Sequence, residues 1–238
     1  DVFQVSLPKQ ERSGYGKCLN VTDRMNLAMG QTPFSFQIVE SAYAGEAEQT
    51  LPAADAVTTF RATVDRALGA TLCGIDIGGT DIKVIGIQNG RIAAVKEFDW
   101  TPAEMTKIEQ IIEPILLMAN IVRAALSLPQ TQEANALREQ MLKKGVSEAA
   151  MQSAVDTCRA IYGEPVLLDG IGVCFPDVVI EDRIVGGETS KTHGIRISSP
   201  DYDTEFSILT ALKERLLKQC RVGGSVHLAN DGALAAYT

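Results

Sequence analysis

Apolar and polar residues alternate in three short runs near the middle of the chain, and this period of two predicts three consecutive strands. The runs cover residues 71–77, 82–88 and 91–98. Asn89-Gly90 stands between the last two runs and is a favoured two-residue hairpin turn. The pattern therefore predicts an antiparallel meander of three strands.

The hydrophobic period lengthens after residue 100 and predicts helices up to residue 162. Thr101, Pro102 and Glu104 have the residue types of a helix start, so we expect a helix from there to about residue 128. Pro114 should kink or divide it. Two more helices are expected over residues 132–144 and 147–162. We interpret about residues 103–162 as a helical insertion.

The last third of the chain alternates again between strand and helix patterns. Residues 166–175 have the continuous apolar character of a buried strand, and another strand is expected at 178–184. Residues 188–199 are polar and predict a loop. Residues 202–220 predict one amphipathic helix that Gly223-Gly224 ends, followed by a strand at 225–229 and a helix that begins at Asp231. The apolar face of the amphipathic helix contains Phe206, Leu209, Leu212 and Leu216.

Residues 1–70 form an N-terminal extension of unknown role. Short strands are predicted at 2–6 and 35–39, and a helix at 53–68. The segment lacks a clear set of three helices with a basic recognition helix, which argues against a DNA-binding winged helix. We expect it to form an added structural layer or an oligomer contact.

The turn between the first two strands contains the first candidate chemistry. Asp76 ends an apolar run and is followed by Gly78, Gly79 and Thr80. Glycines let backbone N–H groups approach an anion, the threonine adds a hydroxyl, and a carboxylate suits hydrated Mg²⁺. We predict that these four residues and Lys83 bind the phosphates and metal of a nucleotide, with Asp76 holding Mg²⁺ through water. An ordinary glycine hairpin is the alternative.

The second candidate is the pair Asn230-Asp231, where a strand turns into a helix of small residues. A carboxylate at such a strand end can accept a proton from a substrate hydroxyl when it lies in a cleft. The same residue types are also the favoured N-caps of helices, so a purely structural role remains the alternative.

Three segments together resemble the ROK family of sugar kinases and repressors, within the sugar kinase, actin and Hsp70 ATPase superfamily. They are Asp-Ile-Gly-Gly-Thr at 76–80, Gly-Ile-Gly-Val at 170–173 and Asn-Asp at 230–231. The resemblance implies Asp231 as catalytic base, Asn230 as a sugar contact, and a sugar-facing loop over residues 188–194. The loop residues predicted to bind substrate are Glu188, Thr189, Thr192 and His193. Two positions depart from the family pattern. Cys174-Phe175 replace a Pro-Gly turn, and Asp81 replaces a lysine or asparagine, which adds negative charge near the phosphates.

The same resemblance implies the fold and the activity. The expected fold is α/β, a ribonuclease-H-like lobe of an actin-type ATPase with a mixed five-stranded sheet flanked by helices. Residues 71–238 would be its N-terminal lobe, without the C-terminal lobe and inactive alone. The implied function of the full-length protein is ATP-dependent phosphorylation of a hexose-type sugar, with ATP and Mg²⁺ as cofactors. A sugar-sensing transcriptional regulator and a non-catalytic ATPase-fold scaffold are the alternatives.

Composition restricts the partners further. The 238 residues have a formal net charge of −8, which disfavours nucleic acid and anionic membranes, and no apolar run reaches transmembrane length. The five cysteines are scattered and form no zinc motif. We expect a cytoplasmic protein that binds a small-molecule sugar, with no nucleic acid or membrane partner. Whether it forms a homodimer stays open.

Overall fold

A five-stranded mixed sheet is the centre of the molecule. The structure, a computed structural model, describes residues 7, 11, 53–176, 178–184 and 190–232. The strands of the sheet are β1 (Thr71–Ile77), β2 (Asp81–Gln88), β3 (Arg91–Asp99), β4 (Leu168–Phe175) and β7 (Cys220–Asn230), and a separate hairpin pairs β5 (Val179–Ile180) with β6 (Arg183–Ile184). The helices are α1 (Ala53–Ala67), α2 (Glu109–Ser127), α3 (Gln132–Leu142), α4 (Glu148–Tyr162), α5 (His193–Ser198), α6 (Tyr202–Ser207) and α7 (Leu212–Leu217).

The order of strands across the sheet is β3-β2-β1-β4-β7. β2 runs antiparallel to β1 and β3, whereas β1, β4 and β7 are parallel. This arrangement confirms the predicted α/β fold, a ribonuclease-H-like mixed five-stranded sheet flanked by helices. Because the three parallel strands point the same way, their carboxyl ends at Ile77, Phe175 and Asn230 lie at one edge of the sheet.

Helices α2 and α7 pack on one face of this sheet. Ile75, Val84 and Val173 point to that face and are buried in a core with α2. A Cβ added to Gly86 of β2 would lie 2.8 Å from Cγ1 of Val122 in α2. The close approach of the helix to the strand therefore depends on this glycine.

The predicted meander and its turn are confirmed. Asn89 and Gly90 have φ angles of 54° and 70°, the left-handed region that a primed hairpin turn requires. β2 and β3 also contain a register shift at Gly86 and Ile87, which the alternating pattern did not indicate.

The start of the long helix was predicted wrongly. Residues Pro102–Glu104 form a separate 3₁₀ turn, Met105 is extended, and Thr101 makes no side-chain cap bond. Helix α2 begins at Glu109 and continues through Pro114. The proline is buried in the core, so the packing of its neighbours holds the helix together despite the missing N–H. Helices α3 and α4 lie where they were expected, capped by Thr131 and Ser147.

The amphipathic segment at 202–220 is not one helix. It divides into α6, a 3₁₀ turn at Ile208–Ala211, and α7. Its four predicted apolar residues are nevertheless all buried. Gly223-Gly224 do not end a helix, because β7 begins at Cys220 and passes through them. They lie in an irregular stretch where the register jumps from Cys220 to Ser225 opposite β4, and Gly223 has a φ of 83°.

Three further predictions need correction. The expected strand at 178–184 is the β5–β6 hairpin, in which Glu181 and Asp182 form the turn at φ angles of 50° and 61°. Within the predicted loop 188–199, Ser190–Thr192 is a 3₁₀ turn and residues 193–198 form α5. The strand expected from 166 begins at Leu168.

The N-terminal predictions are tested in part. Helix α1 matches the expected helix at 53–68. The strands expected at 2–6 and 35–39 lie outside the described residues. Among the residues that the structure describes, α2 is long and apolar enough to cross a membrane, and 72% of its most apolar window is buried inside the protein. It is the central core helix.

Candidate functional site

The glycine hairpin is closed by backbone hydrogen bonds and held from the side by a tryptophan. The N–H of Gly78 donates to the carbonyl of Asp81 at 2.8 Å. Trp100, at the end of β3, donates its indole N–H to the carbonyl of Gly78 at 3.1 Å and its backbone N–H to Thr80 at 3.0 Å. Gly79 and Thr80 are exposed at the tip. The N–H of Gly78 is thus used inside the turn, which leaves the tip residues as the ones positioned to meet a ligand.

The two glycines have different steric roles. A Cβ at Gly78 would lie 2.7 Å from Oδ1 and 2.8 Å from the carbonyl oxygen of Asp81. A Cβ at Gly79 would meet no atom within 4 Å. Gly78 is therefore required by the turn itself, whereas the protein provides no internal reason for a glycine at position 79. Close approach of a ligand would be such a reason.

Asp81 and Lys83 form an ion pair beside the hairpin. The Nζ of Lys83 lies 2.7 Å from Oδ1 of Asp81. This hydrogen bond, helped by the charges of Asp81, Asp76 and Glu97, raises the pKa of Lys83. The positive charge of Lys83 thus partly neutralises the acid that the family pattern does not contain.

A row of side chains crosses all five strands on the face opposite α2. Register pairs Glu97 with Lys83, Lys83 with Asp76, Asp76 with Cys174, and Cys174 with Ala229. We call these five residues the polar row. Three of its members, Asp76, Cys174 and Ala229, each lie one residue before the carboxyl end of their strand.

Cys174 is the point where the predicted site residues meet. Burial first, and then the carboxylates of Asp76 and Asp231, raise the pKa of its thiol to about 11, while the charge of Lys191 acts in the opposite direction. Each of these three charges therefore lies close enough to act on one sulfur atom. Asp76 and Asp231 are both at the edge of the sheet that carries the Gly78–Thr80 hairpin, and Asp76 lies on the face that α2 does not cover.

Phe175 does not enter this site. Successive residues of a strand point to opposite faces, so the exposed side of β4 carries Cys174 while Phe175 is 1% exposed in the core. The bulky residue that departs from the ROK turn is therefore directed away from the candidate sugar position.

A groove of about 420 Å³ adjoins the polar row on the same face. Its floor is largely bare backbone, because Gly74 and Gly172 are register partners in β1 and β4. The residues that line it include Asp76, Lys83, Ile85, Cys174, His227 and Ala229.

Asn230 and Asp231 both act at the start of the helix that follows β7. The N–H of Gly232 donates to Oδ1 of Asn230 at 2.9 Å and to Oδ1 of Asp231 at 2.8 Å. The capping role that the sequence left open is therefore present. It does not exclude a second role for Asp231, which is exposed and retains its other carboxylate oxygen.

The predicted sugar loop, residues 188–194, is described from residue 190 onwards. Glu188 and Thr189 lie outside the described residues. Thr192 is 1% exposed, so the structure buries a side chain that was predicted to face substrate. His193 is exposed, and its Nδ1 lies 3.3 Å from Arg196. A Cβ on Gly194 would lie 2.7 Å from the carbonyl of Ala103, so this segment packs tightly on the turn before α2.

Sequence reasoning missed Lys191 and Trp100. Lys191 is 7% exposed, and its charge lowers the pKa of the Cys174 thiol, which the two acids raise. A lysine in a polar loop carries no signal of burial. Trp100 is the one tryptophan of the chain, and its position after a strand could have indicated a packing role against the hairpin.

The residues fit a water-mediated Mg²⁺ better than a fully coordinated metal. No group of three or more histidine, cysteine or acidic side chains in the described part of the chain could hold a metal ion. Asp76 is an exposed carboxylate, which suits Mg²⁺ that keeps most of its waters and is shared with phosphates.

Comparison with known proteins gives a limited result. No protein-family model matches the chain, and no curated protein matches it. A solved structure that the chain resembles is the inorganic polyphosphate/ATP-glucomannokinase from Arthrobacter sp. strain KM, at 17% identity and a TM-score of 0.33. The match covers 68% of this chain and 44% of that one, so the chain spans less than half the length of the enzyme.

Proposed function

We propose that the full-length protein is a ROK-like kinase that transfers a phosphoryl group from ATP to a hydroxyl of a hexose-type sugar. This chain supplies one lobe of the site. The observation that supports the proposal is the strand register, which places Asp76 beside Cys174 and brings the end of β7, followed by Asp231, to the edge that carries the Gly78–Thr80 hairpin. A base and a phosphate-binding turn at one edge are what phosphoryl transfer to a hydroxyl requires.

Each residue has a separate role in this proposal. Asp231 accepts the proton of the sugar hydroxyl at its carboxylate, while Asn230 orients the sugar. The exposed tip, Gly79 and Thr80, donates hydrogen bonds to the phosphates, and Asp76 holds the waters around Mg²⁺. ATP supplies the phosphoryl group, and Mg²⁺ neutralises charge on it.

The sugar would lie between Asn230 and the segment that contains Lys191 and His193. Thr192 is removed from the contact set because its side chain is buried. Lys191, although also largely buried, is added to the proposal, because its charge acts on the same Cys174 thiol as the two acids and an ammonium group can donate to a hydroxyl.

The direct test is Asp231→Asn in the full-length protein, measured as sugar-dependent release of ADP over a panel of hexoses. Loss of a general base typically lowers the rate by about 10²–10⁴-fold. Asp156→Asn is the matched control, because Asp156 is an exposed acid on α4. An unchanged rate in Asp231→Asn, with circular dichroism showing an intact fold, rejects Asp231 as the base.

A sugar-sensing regulator is the second candidate, and one observation favours it. Asp81 is paired with Lys83 in the same turn as Gly79 and Thr80, so it places a negative charge close to the tip where the phosphates would bind. Calorimetry separates the two functions. Sugar binding with no ATP turnover in the wild-type protein supports the regulator and rejects the kinase.

A further inference from the structure

Asp182 joins three elements around the outer edge of β7. Its Oδ1 accepts the backbone N–H of Leu228 at 2.9 Å, and its Oδ2 lies 2.7 Å from Nζ of Lys213 in α7. The same oxygen lies 3.3 Å from Nδ1 of His227. Lys213 belongs to a helix of the core side, whereas His227 lines the groove on the opposite face. Asp182 therefore contacts β7 at two residues and joins it to α7 and to the β5–β6 hairpin.

The β5–β6 hairpin holds Asp182 in place. It lies in the turn of the β5–β6 hairpin, and Ile184, two residues later, is 0% exposed in the core. β7 ends the sheet, so its outward N–H groups have no strand partner on that side among the described elements. A charged acceptor on a fixed hairpin satisfies one of these donors more strongly than water or a neutral group does.

Leu228 is three residues before Asp231, a distance of about 10 Å along a strand. The intervening residues Ala229 and Asn230 are the last of β7, and Asn230 starts the helix cap. We propose that Asp182 is a positioning residue, which fixes the end of β7 and thereby holds the carboxylate of Asp231 at the edge of the sheet that carries the Gly78–Thr80 hairpin. Its catalytic consequence rests on the function proposed above, whereas its effect on position does not.

The first part of the experiment measures only whether Asp182 fixes the position of the end of β7. Amide exchange and chemical shifts are measured by NMR for Leu228, which Asp182 binds directly, and for Gly232, whose N–H is held by Asn230 and Asp231. In Asp182→Ala we expect Leu228 to exchange at least about tenfold faster, since a hydrogen bond to a charged group is lost. Gly232 should shift and exchange faster too. Asp182→Asn, which retains an acceptor, should restore part of both signals.

Asp201→Asn is the matched control. Asp201 also accepts a backbone N–H, that of Thr204, but it caps α6 and makes no contact with β7. It should leave Leu228 and Gly232 unchanged. If the N–H of Leu228 exchanges faster in Asp182→Ala while Gly232 keeps its chemical shift and its exchange rate, Asp182 holds the strand only at Leu228 and the proposal is wrong. Should Asp182→Ala fail to fold, the same comparison is made with Asp182→Asn.

The second arm measures sugar-dependent ADP release in the full-length protein. We expect Asp182→Ala to lower kcat about tenfold or more and to leave KM for ATP within about twofold, because misplacement of the base affects the chemical step. An altered Gly232 with an unchanged kcat would overturn the catalytic consequence. A wild-type protein without ADP release would reject the kinase, and the Gly232 result would still decide whether Asp182 positions Asp231.

Discussion

The carboxylate of Asp182 lies 2.9 Å from the backbone nitrogen of Leu228, so a turn residue takes the place of a strand partner at the edge of the sheet. Burial of Asp182 opposes its ionisation, but Lys213, the N–H of Leu228 and His227 outweigh that effect and lower the pKa of Asp182. The contact is therefore strongest when the carboxylate is charged.

This relation predicts how stability changes in acid. Because the folded pKa is below the unfolded value of about 4, the stabilisation by Asp182 is fully present above that value and is lost as the pH falls through the folded pKa. Urea unfolding at pH 7 should show Asp182→Asn to be less stable than wild type. The difference should shrink at pH 3. A difference that stays constant over this range would show that the charge of Asp182 contributes nothing.

We expect a methyl group added on one face of the sheet to lower stability and one added on the other face to leave it nearly unchanged. Gly86→Ala places a Cβ 2.8 Å from Val122, so it should lower the free energy of unfolding by about 1–3 kcal/mol through overpacking. Gly172→Ala adds a Cβ with no atom within 4 Å and should change stability by about 0.5 kcal/mol or less. Thermal or urea unfolding compares the two variants. A large loss in Gly172→Ala would mean that the groove face is covered.

In the Gly78–Thr80 hairpin, we expect one glycine to be needed for folding and the other for ligand binding. Gly78→Ala collides with Asp81 and should lower the free energy of unfolding by about 1–3 kcal/mol. Gly79→Ala should fold with a stability within about 0.5 kcal/mol of wild type, since the space there is open. If the tip binds phosphate, Gly79→Ala in the full-length protein should nevertheless raise KM for ATP. Unchanged nucleotide affinity in Gly79→Ala would remove this residue from the phosphate site.

The thiol of Cys174 provides a chemical check on the convergence of charges. Burial first, and then Asp76 and Asp231, raise its pKa to about 11, so alkylation should be slow at pH 8 and accelerate towards pH 11. Asp231→Asn removes one of the neighbouring charges and should shift this profile to lower pH. Mass spectrometry identifies the modified residue, and Cys174→Ser is the blank. An identical profile in Asp231→Asn would place the two residues apart.

Local signals accounted for most of the secondary structure. Strands β1 to β4 and helices α3 and α4 follow from period and turn residues such as Asn89-Gly90. Errors arose where tertiary contacts overrode local preference. Pro114 remains inside α2 because its surroundings are buried, and Gly223-Gly224 belong to a strand because β4 pairs beyond them.

The site divides in the same way. The glycine turn and the Asn-Asp strand end were visible as residue types at spacings that suit phosphate and proton chemistry. Their proximity was not visible, since Asp76 and Asp231 are far apart in sequence and meet through the pairing of β4 with both β1 and β7. Contacts between distant segments also decide that Thr192 is buried, that the charge of Lys191 acts on Cys174, and that Asp182 accepts the N–H of Leu228.

The amino-acid order by itself determined the α/β alternation, the bend at Gly78-Gly79 and the acid that ends the last strand, because backbone preference and side-chain period act over a few residues. The tertiary structure alone decided which acids share an edge, which face of the sheet stays uncovered by the described helices, and what holds β7 in place. Those relations come from strand pairing and packing between segments separated by up to 150 residues or so, whose free energy no local pattern encodes.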